Sequence, residues 1–227
     1  PRNQETEAFL LKIKFPITVG YGMTECAPLI SFTTDDLFKA GSCGMYIKEY
    51  LDLRIDSPDP EHTAGEIIVK GEHVMLGYYK NEKDTHAVLD PDGWLHTGDM
   101  GTVDPDGTLY IRGRSKTMIL SGNGQNIYPE EIEDKLNNMY MVLESLVLDA
   151  GNGRLRALVV PDYEQADAEG VDKSELPQIM QNNLQELNAQ LAAYERVSDI
   201  TIYPTEFEKT PKRSIKRFLY SASLLDS

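Results

Sequence analysis

Between residues 36 and 112 no β-prone run lasts long before a Gly, Pro or Asp turn interrupts it. The runs are Tyr50 to Ile55, Glu66 to Lys70, Trp94 to Leu95 and Thr108 to Arg112. Short strands at such regular spacing predict a small β-barrel or a distorted sheet. After Arg114 the pattern changes. Pro129 precedes Glu130 to Asn138, whose first turn is acidic, which predicts a helix start. Ser145 to Asp149 and Arg154 to Pro161 are β-prone and joined by Ala150-Gly151-Asn152-Gly153, a hairpin signal. Ser174 with Glu175 opens a helix predicted to reach Arg196, with Ile179, Leu184, Leu187, Leu191 and Ala192 near helical spacing. Ser198 to Tyr203 gives a further strand. Upstream, Asn3 to Ile13 reads as a polar helix and Ile17-Thr18-Val19 as a short strand entering Gly20 and Gly22. The expected class is α+β.

Composition restricts the function classes. The 227 residues leave room for one large domain or two small ones with real cores. No apolar run approaches the ~18 residues needed to span a membrane. A net charge of −15 argues against a nucleic-acid surface, which wants clustered Lys and Arg, although ATP needs only a few local cations. Cys26 and Cys43 have neither a metal-ligand nor a disulfide spacing, so a reducing cytoplasm is the expected setting. His62, His73 and His86 suggest no ligand cluster, and His96 is expected to be structural. Trp94, the only tryptophan, is expected to pack in the core.

The densest chemistry lies in Gly93-Trp94-Leu95-His96-Thr97-Gly98-Asp99, the turn Asp104-Pro105-Asp106-Gly107, and Leu109-Tyr110-Ile111-Arg112-Gly113-Arg114. A carboxylate held by a glycine turn suits a ribose diol, because it accepts both hydroxyl protons. The two runs should bring Arg114 back near Asp99, so that both could share one nucleotide. Taken alone, a Thr-Gly-Asp turn is more often just a turn. The order of the neighbouring motifs changes that.

Tyr21-Gly22-Met23-Thr24-Glu25 is followed by Gly65-Glu66-Ile67-Ile68-Val69, by Val74-Met75-Leu76-Gly77-Tyr78-Tyr79, by His96 to Asp99, and by Gly113 to Glu133. In content and order these resemble the adenylate-forming acyl-CoA synthetases, a superfamily that also holds luciferases and peptide-synthetase adenylation domains. Ser121 to Glu133 is most similar to bacterial long-chain fatty acid–CoA ligases. The resemblance implies a reaction in which a fatty acid carboxylate and ATP give acyl-AMP, and CoA then gives acyl-CoA. It implies ATP, Mg²⁺ and CoA as cofactors or substrates, no nucleic acid, and membrane contact only peripherally, through the acyl substrate. Residues 1–35 would end a large α/β N-terminal adenylation domain, 36–113 form a β-barrel-like subdomain, and 114–227 form a mobile α+β lid domain. The family's phosphate loop would lie well upstream of Tyr21. The chain is therefore expected to be the C-terminal part of a longer ligase, inactive without the missing N-terminal part of the same chain.

The same resemblance implies roles for single residues. Tyr21 would lay its ring on the purine, a stacking worth about 1–3 kcal/mol. Gly22 would let the backbone approach the nucleotide, Thr24 would meet a phosphate, and Glu25 would offer a hard oxygen to Mg²⁺. Asp99 and Arg114 would hold the ribose hydroxyls. Lys116 falls at the family's hinge, and Gly122 and Gly124 would flank the pantetheine channel in the second half-reaction. The last motif departs from the pattern. Phe207-Glu208-Lys209-Thr210-Pro211 begins it, but Lys212-Arg213-Ser214-Ile215-Lys216-Arg217 follows where the family has any residue, Gly, Lys, Ile, any residue and Arg. Ser214 thus occupies the catalytic lysine position, and serine cannot neutralise charge developing at the α-phosphate. Lys216 is the first expected substitute and Lys212 the second. Two alternatives stay open: another adenylate-forming ligase, such as one loading an acyl carrier protein, and a non-catalytic nucleotide-binding domain.

Overall fold

The structure, a computed structural model, describes residues 4–151, 153–211 and 213–220, and it divides after Lys116 into the units Pro1–Lys116 and Thr117–Ser227. The first unit begins with helix α1 (Gln4–Lys12). Strands β1 (Val19–Gly22), β2 (Leu29–Thr33) and β3 (Met45–Tyr46) form an antiparallel sheet in that order. Strands β4 (Leu51–Asp56), β5 (Gly65–Gly71), β6 (Leu95–Val103) and β7 (Leu109–Arg114) form an antiparallel meander, with the short helix α2 (Glu82–Val88) between β5 and β6. Alternation decides which side chains point inward: Leu51 and Ile55 on β4, Ile67 and Val69 on β5. These join Leu95, Leu109, Ile30 and Cys26 in one core shared by both sheets. Burying a side chain the size of Ile67 contributes about 1.5–3 kcal/mol. A bridge from Met45 to Thr108 ties β3 to the start of β7.

The second unit starts with a two-stranded ribbon, β8 (Ile119–Leu120) and β9 (Asn126–Ile127), followed by α3 (Pro129–Leu136). Proline suits the first turn of α3 because the missing N–H has no intrahelical acceptor there. Strands β10 (Val142–Asp149) and β11 (Leu155–Pro161) pair antiparallel as a hairpin. Helices α4 (Tyr163–Glu169) and α5 (Leu176–Gln190) then cross over to β12 (Val197–Ile202), which lies parallel to β11. Ile132, Leu136, Val147, Val159, Leu184 and Leu187 belong to the core under α3 and α5. On a second apolar cluster, Leu146, Leu158 and Val160 meet Phe207, Tyr203, Ile215 and Tyr220 of the terminal segment. The α+β class holds, and none of the described helices is long and apolar enough to cross a membrane.

Several local expectations need correction. The Thr97-Gly98-Asp99 segment is a bulge inside a nine-residue strand, not the end of a two-residue one. Gly98 takes φ +71° within the bulge opposite β5, immediately before the ladder to β7 begins at Asp99. Trp94 is half-buried on the surface, with the Arg54 guanidinium 4.4 Å from its ring. Helix α5 ends at Gln190, short of Arg196. There the Asn188 side chain accepts from Val197 N and donates to Val197 O, tying the last turn of the helix to the start of β12. Helices α2 and α4 went unread because each spans only seven residues, too few for a periodic signal.

Candidate nucleotide site

Strand β1 carries Tyr21 and strand β6 carries Asp99, 78 residues apart in sequence. The Tyr21 hydroxyl donates to Asp99 Oδ2 at 2.7 Å. From the facing strand, Arg114 pairs with Asp99 in register, and its Nε lies 2.9 Å from Oδ1. The Asp104-Pro105-Asp106-Gly107 turn makes this return possible, as its residues bring β7 back along β6. Asp99 is 6% exposed, whereas the Arg114 side chain is 62% exposed, so the carboxylate sits at the base of the group and the guanidinium at its rim. Burial, and then the adjoining Asp99 charge, push the Tyr21 phenol far above its ordinary value. Tyr21 therefore stays a proton donor to the carboxylate at any physiological pH.

The bulge under Asp99 is held by residues that the motif reading did not single out. Thr97 Oγ1 donates to Ile67 O at 2.7 Å and accepts from Asp99 N at 3.1 Å. Glu66 on β5 accepts from Gly98 N at 3.0 Å through one oxygen, and its other oxygen lies 2.8 Å from His96 Nδ1. His96 is thus tied to the same carboxylate that holds Gly98. The signal for Glu66 was an acid in a strand that must lie beside the Thr-Gly-Asp segment, but it becomes readable only once the β5–β6 register is known.

The rest of the first motif forms a tight loop. A Cβ on Gly22 would lie 1.9 Å from Pro28 O, so the glycine is required by the chain's own backbone, whatever a ligand needs. Thr24 is exposed in a 3₁₀ turn, Thr24–Cys26. Glu25 Oε1 accepts from the Tyr78 hydroxyl at 2.9 Å, and Glu25 O accepts from Met75 N at 2.8 Å. Tyr78 was not singled out from the sequence; burial and the Glu25 charge raise its phenol. Among the described residues no three His, Cys, Asp or Glu gather as a metal site. Glu25 fits Mg²⁺ only in the way that ion usually binds, through one or two carboxylates and substrate phosphates.

The remaining candidates belong elsewhere in the chain. Lys116 is exposed in the turn after β7, at the division between units. Gly122 and Gly124 are exposed in the β8–β9 turn of the second unit, where Gly124 takes φ +81°. Its N–H donates to Ser121 O at 2.9 Å, and Ser121 Oγ accepts from Gln125 N at 2.8 Å. Lys216 Nζ lies 3.2 Å from Glu208 Oε2, a partner the sequence reading did not foresee. Lys212 lies outside the described residues.

Residues 1–79 match the AMP-binding enzyme family, and residues 116–223 match the AMP-binding enzyme C-terminal domain. The long-chain-fatty-acid–CoA ligase of Salmonella typhimurium is 46% identical over 119 residues, 51% of this chain and 21% of that protein. A long-chain-fatty-acid–CoA ligase of Xenopus laevis is 36% identical over 148 residues, 65% of this chain and 20% of that protein. The solved o-succinylbenzoate CoA synthetase of Bacillus subtilis, in complex with its acyl-adenylate intermediate, matches with a TM-score of 0.77 at 27% identity. That match covers 96% of this chain and 43% of the other. The chain spans about a fifth of the length of the first two relatives it matches. Matched on both sides of Lys116 by domains of one enzyme family, the chain belongs to the AMP-binding, adenylate-forming enzymes.

Proposed function

We propose that this chain is the C-terminal part of an ATP- and Mg²⁺-dependent acid–CoA ligase, acting in the cytoplasm on long-chain fatty acids. The observation that carries this reading is the Asp99 carboxylate, held between Tyr21 and Arg114 in a chain whose relatives are named as fatty acid–CoA ligases. Each carboxylate oxygen can accept more than one hydrogen bond, so Asp99 can take ribose hydroxyls while keeping its protein partners. Arg114 at the rim adds donors toward the same sugar. Glu25, together with the phosphates, would hold Mg²⁺, which supplies charge neutralisation to the triphosphate.

In the first step a carboxylate oxygen of the acid bonds to the α-phosphorus. The bond from that phosphorus to the bridging oxygen breaks, and pyrophosphate leaves with the electron pair. In the second step the CoA thiolate attacks the acyl carbonyl and AMP leaves. Lys116 serves as the pivot between the two steps, with residues 114–227 as the moving lid and Gly122 and Gly124 beside the pantetheine. Pyrophosphate exchange by the whole ligase containing this chain tests the reading. Exchange that depends on added fatty acid supports it; nucleotide binding without exchange supports a non-catalytic domain, the reading that Ser214 favours.

A further inference from the structure

The loop that follows β5 grips Glu25 twice. Met75 N donates to Glu25 O at 2.8 Å, and the Tyr78 hydroxyl donates to Glu25 Oε1 at 2.9 Å. One contact fixes the backbone of Glu25 and the other fixes its side chain. Among the described residues nothing donates to the second carboxylate oxygen, Oε2, and Glu25 enters no ion pair. The carboxylate is therefore divided, with one oxygen committed to the chain and one free of it.

Tyr78 is itself held in place by α2. Asn81 Oδ1 accepts from Asp84 N and caps that helix, and Thr85 Oγ1 donates to Asn81 O at 2.8 Å. The same Thr85 oxygen accepts from Tyr78 N at 2.9 Å. Gly77 takes φ +145°, and a Cβ there would lie 2.8 Å from the Thr85 side chain. Glycine thus lets the loop press against the helix at the residue before Tyr78.

A carboxylate binds a cation through one oxygen or through both. Ca²⁺ takes many oxygens in a flexible shell and readily uses both from one carboxylate. Mg²⁺ is smaller and demands near-ideal octahedral geometry, which the narrow bite of a two-oxygen carboxylate distorts. We propose that Tyr78 is a specificity-determining partner of Glu25: by engaging Oε1 it holds Glu25 as a one-oxygen ligand and so favours Mg²⁺ over Ca²⁺ at the nucleotide. Tyr78 acts through Glu25, as a positioning residue. The proposal rests on the reading of Glu25 as the Mg²⁺ ligand.

The test is Tyr78→Phe in the whole ligase, which keeps the ring and removes only the donor. ATP affinity is measured by calorimetry in EDTA, in Mg²⁺ and in Ca²⁺. In the wild type Mg²⁺ should tighten ATP binding more than Ca²⁺ does. In Tyr78→Phe the tightening by Mg²⁺ should fall about fivefold, the scale of one hydrogen bond that solvent reaches, while affinity in EDTA and in Ca²⁺ stays within about twofold. Glu25→Ala should abolish the tightening by Mg²⁺, and adding Tyr78→Phe to it should change nothing further. Unchanged tightening by Mg²⁺ in Tyr78→Phe, equal losses with both cations, or a loss already present in EDTA overturns the assignment and leaves Glu25 in the site. Tightening by Mg²⁺ that survives Glu25→Ala overturns the reading of Glu25 itself, and this proposal with it.

Discussion

The Tyr21 hydroxyl donates to Asp99 Oδ2 at 2.7 Å while Arg114 Nε lies 2.9 Å from Oδ1, so the tyrosine acts on the acid as well as presenting a ring. Tyr21→Phe keeps that ring and removes only the donor. ATP affinity should then fall by about 1–2 kcal/mol, the scale of a hydrogen bond to a charged group. The loss should shrink when 2′-deoxy-ATP is titrated instead, since fewer ribose bonds then depend on the orientation of Asp99. An equal calorimetric loss for both nucleotides would assign Tyr21 to the base alone.

Asp99→Ala removes the acceptor itself. ATP binding, measured by calorimetry in the whole ligase, should weaken by about 1.5–3 kcal/mol, the range for charge-assisted hydrogen bonds. Unchanged affinity would take Asp99 out of the site and leave it as a structural partner of Arg114.

Arg217→Met tests the buried pair in the second unit. Glu133 Oε1 accepts from Arg217 at 2.6 Å and from Val147 N at 2.6 Å. Burial raises the Glu133 carboxyl above its ordinary 4.5, and the Arg217 charge counteracts the rise. Orphaning that carboxylate should cost about 3–5 kcal/mol in urea unfolding at neutral pH. For a carboxyl raised by folding, the stabilising protonated state is fully present below 4.5 and is lost as pH rises through the folded value. The deficit of the variant should therefore shrink on acidification toward 4.5. A deficit that is flat across that range would show that Glu133 is not the group left unpaired.

Lys116→Pro tests the pivot. Proline fixes φ near −65° and prevents the large backbone rotation that a hinge must make. Pyrophosphate exchange should survive while thioester formation falls, both measured on the whole ligase. Equal losses would point to a folding defect.

Much of this arrangement was legible in the sequence because it is local. The Asp104-Pro105-Asp106-Gly107 turn between two β-prone runs returns Arg114 to Asp99, since hydrogen bonds within a few residues fix where the chain reverses. Pro129 sets the start of α3, and Gly151 and Gly153, both at positive φ, turn the chain between β10 and β11, for the same reason. Tertiary structure alone decided the rest. Tyr21 meets Asp99, and Glu66 holds the bulge beneath it, only because two sheets share one core. Trp94 lies at the surface because the inward positions of its strand region fall on Leu95 and Thr97. Lys216 and Arg217 are adjacent cations in the sequence, yet one pairs with an exposed Glu208 and the other with a buried Glu133. Composition and spacing name the charges. Which of them is paired depends on what distant segments are packed against them, because the strength of an ion pair is set by burial and by the partner's position in space.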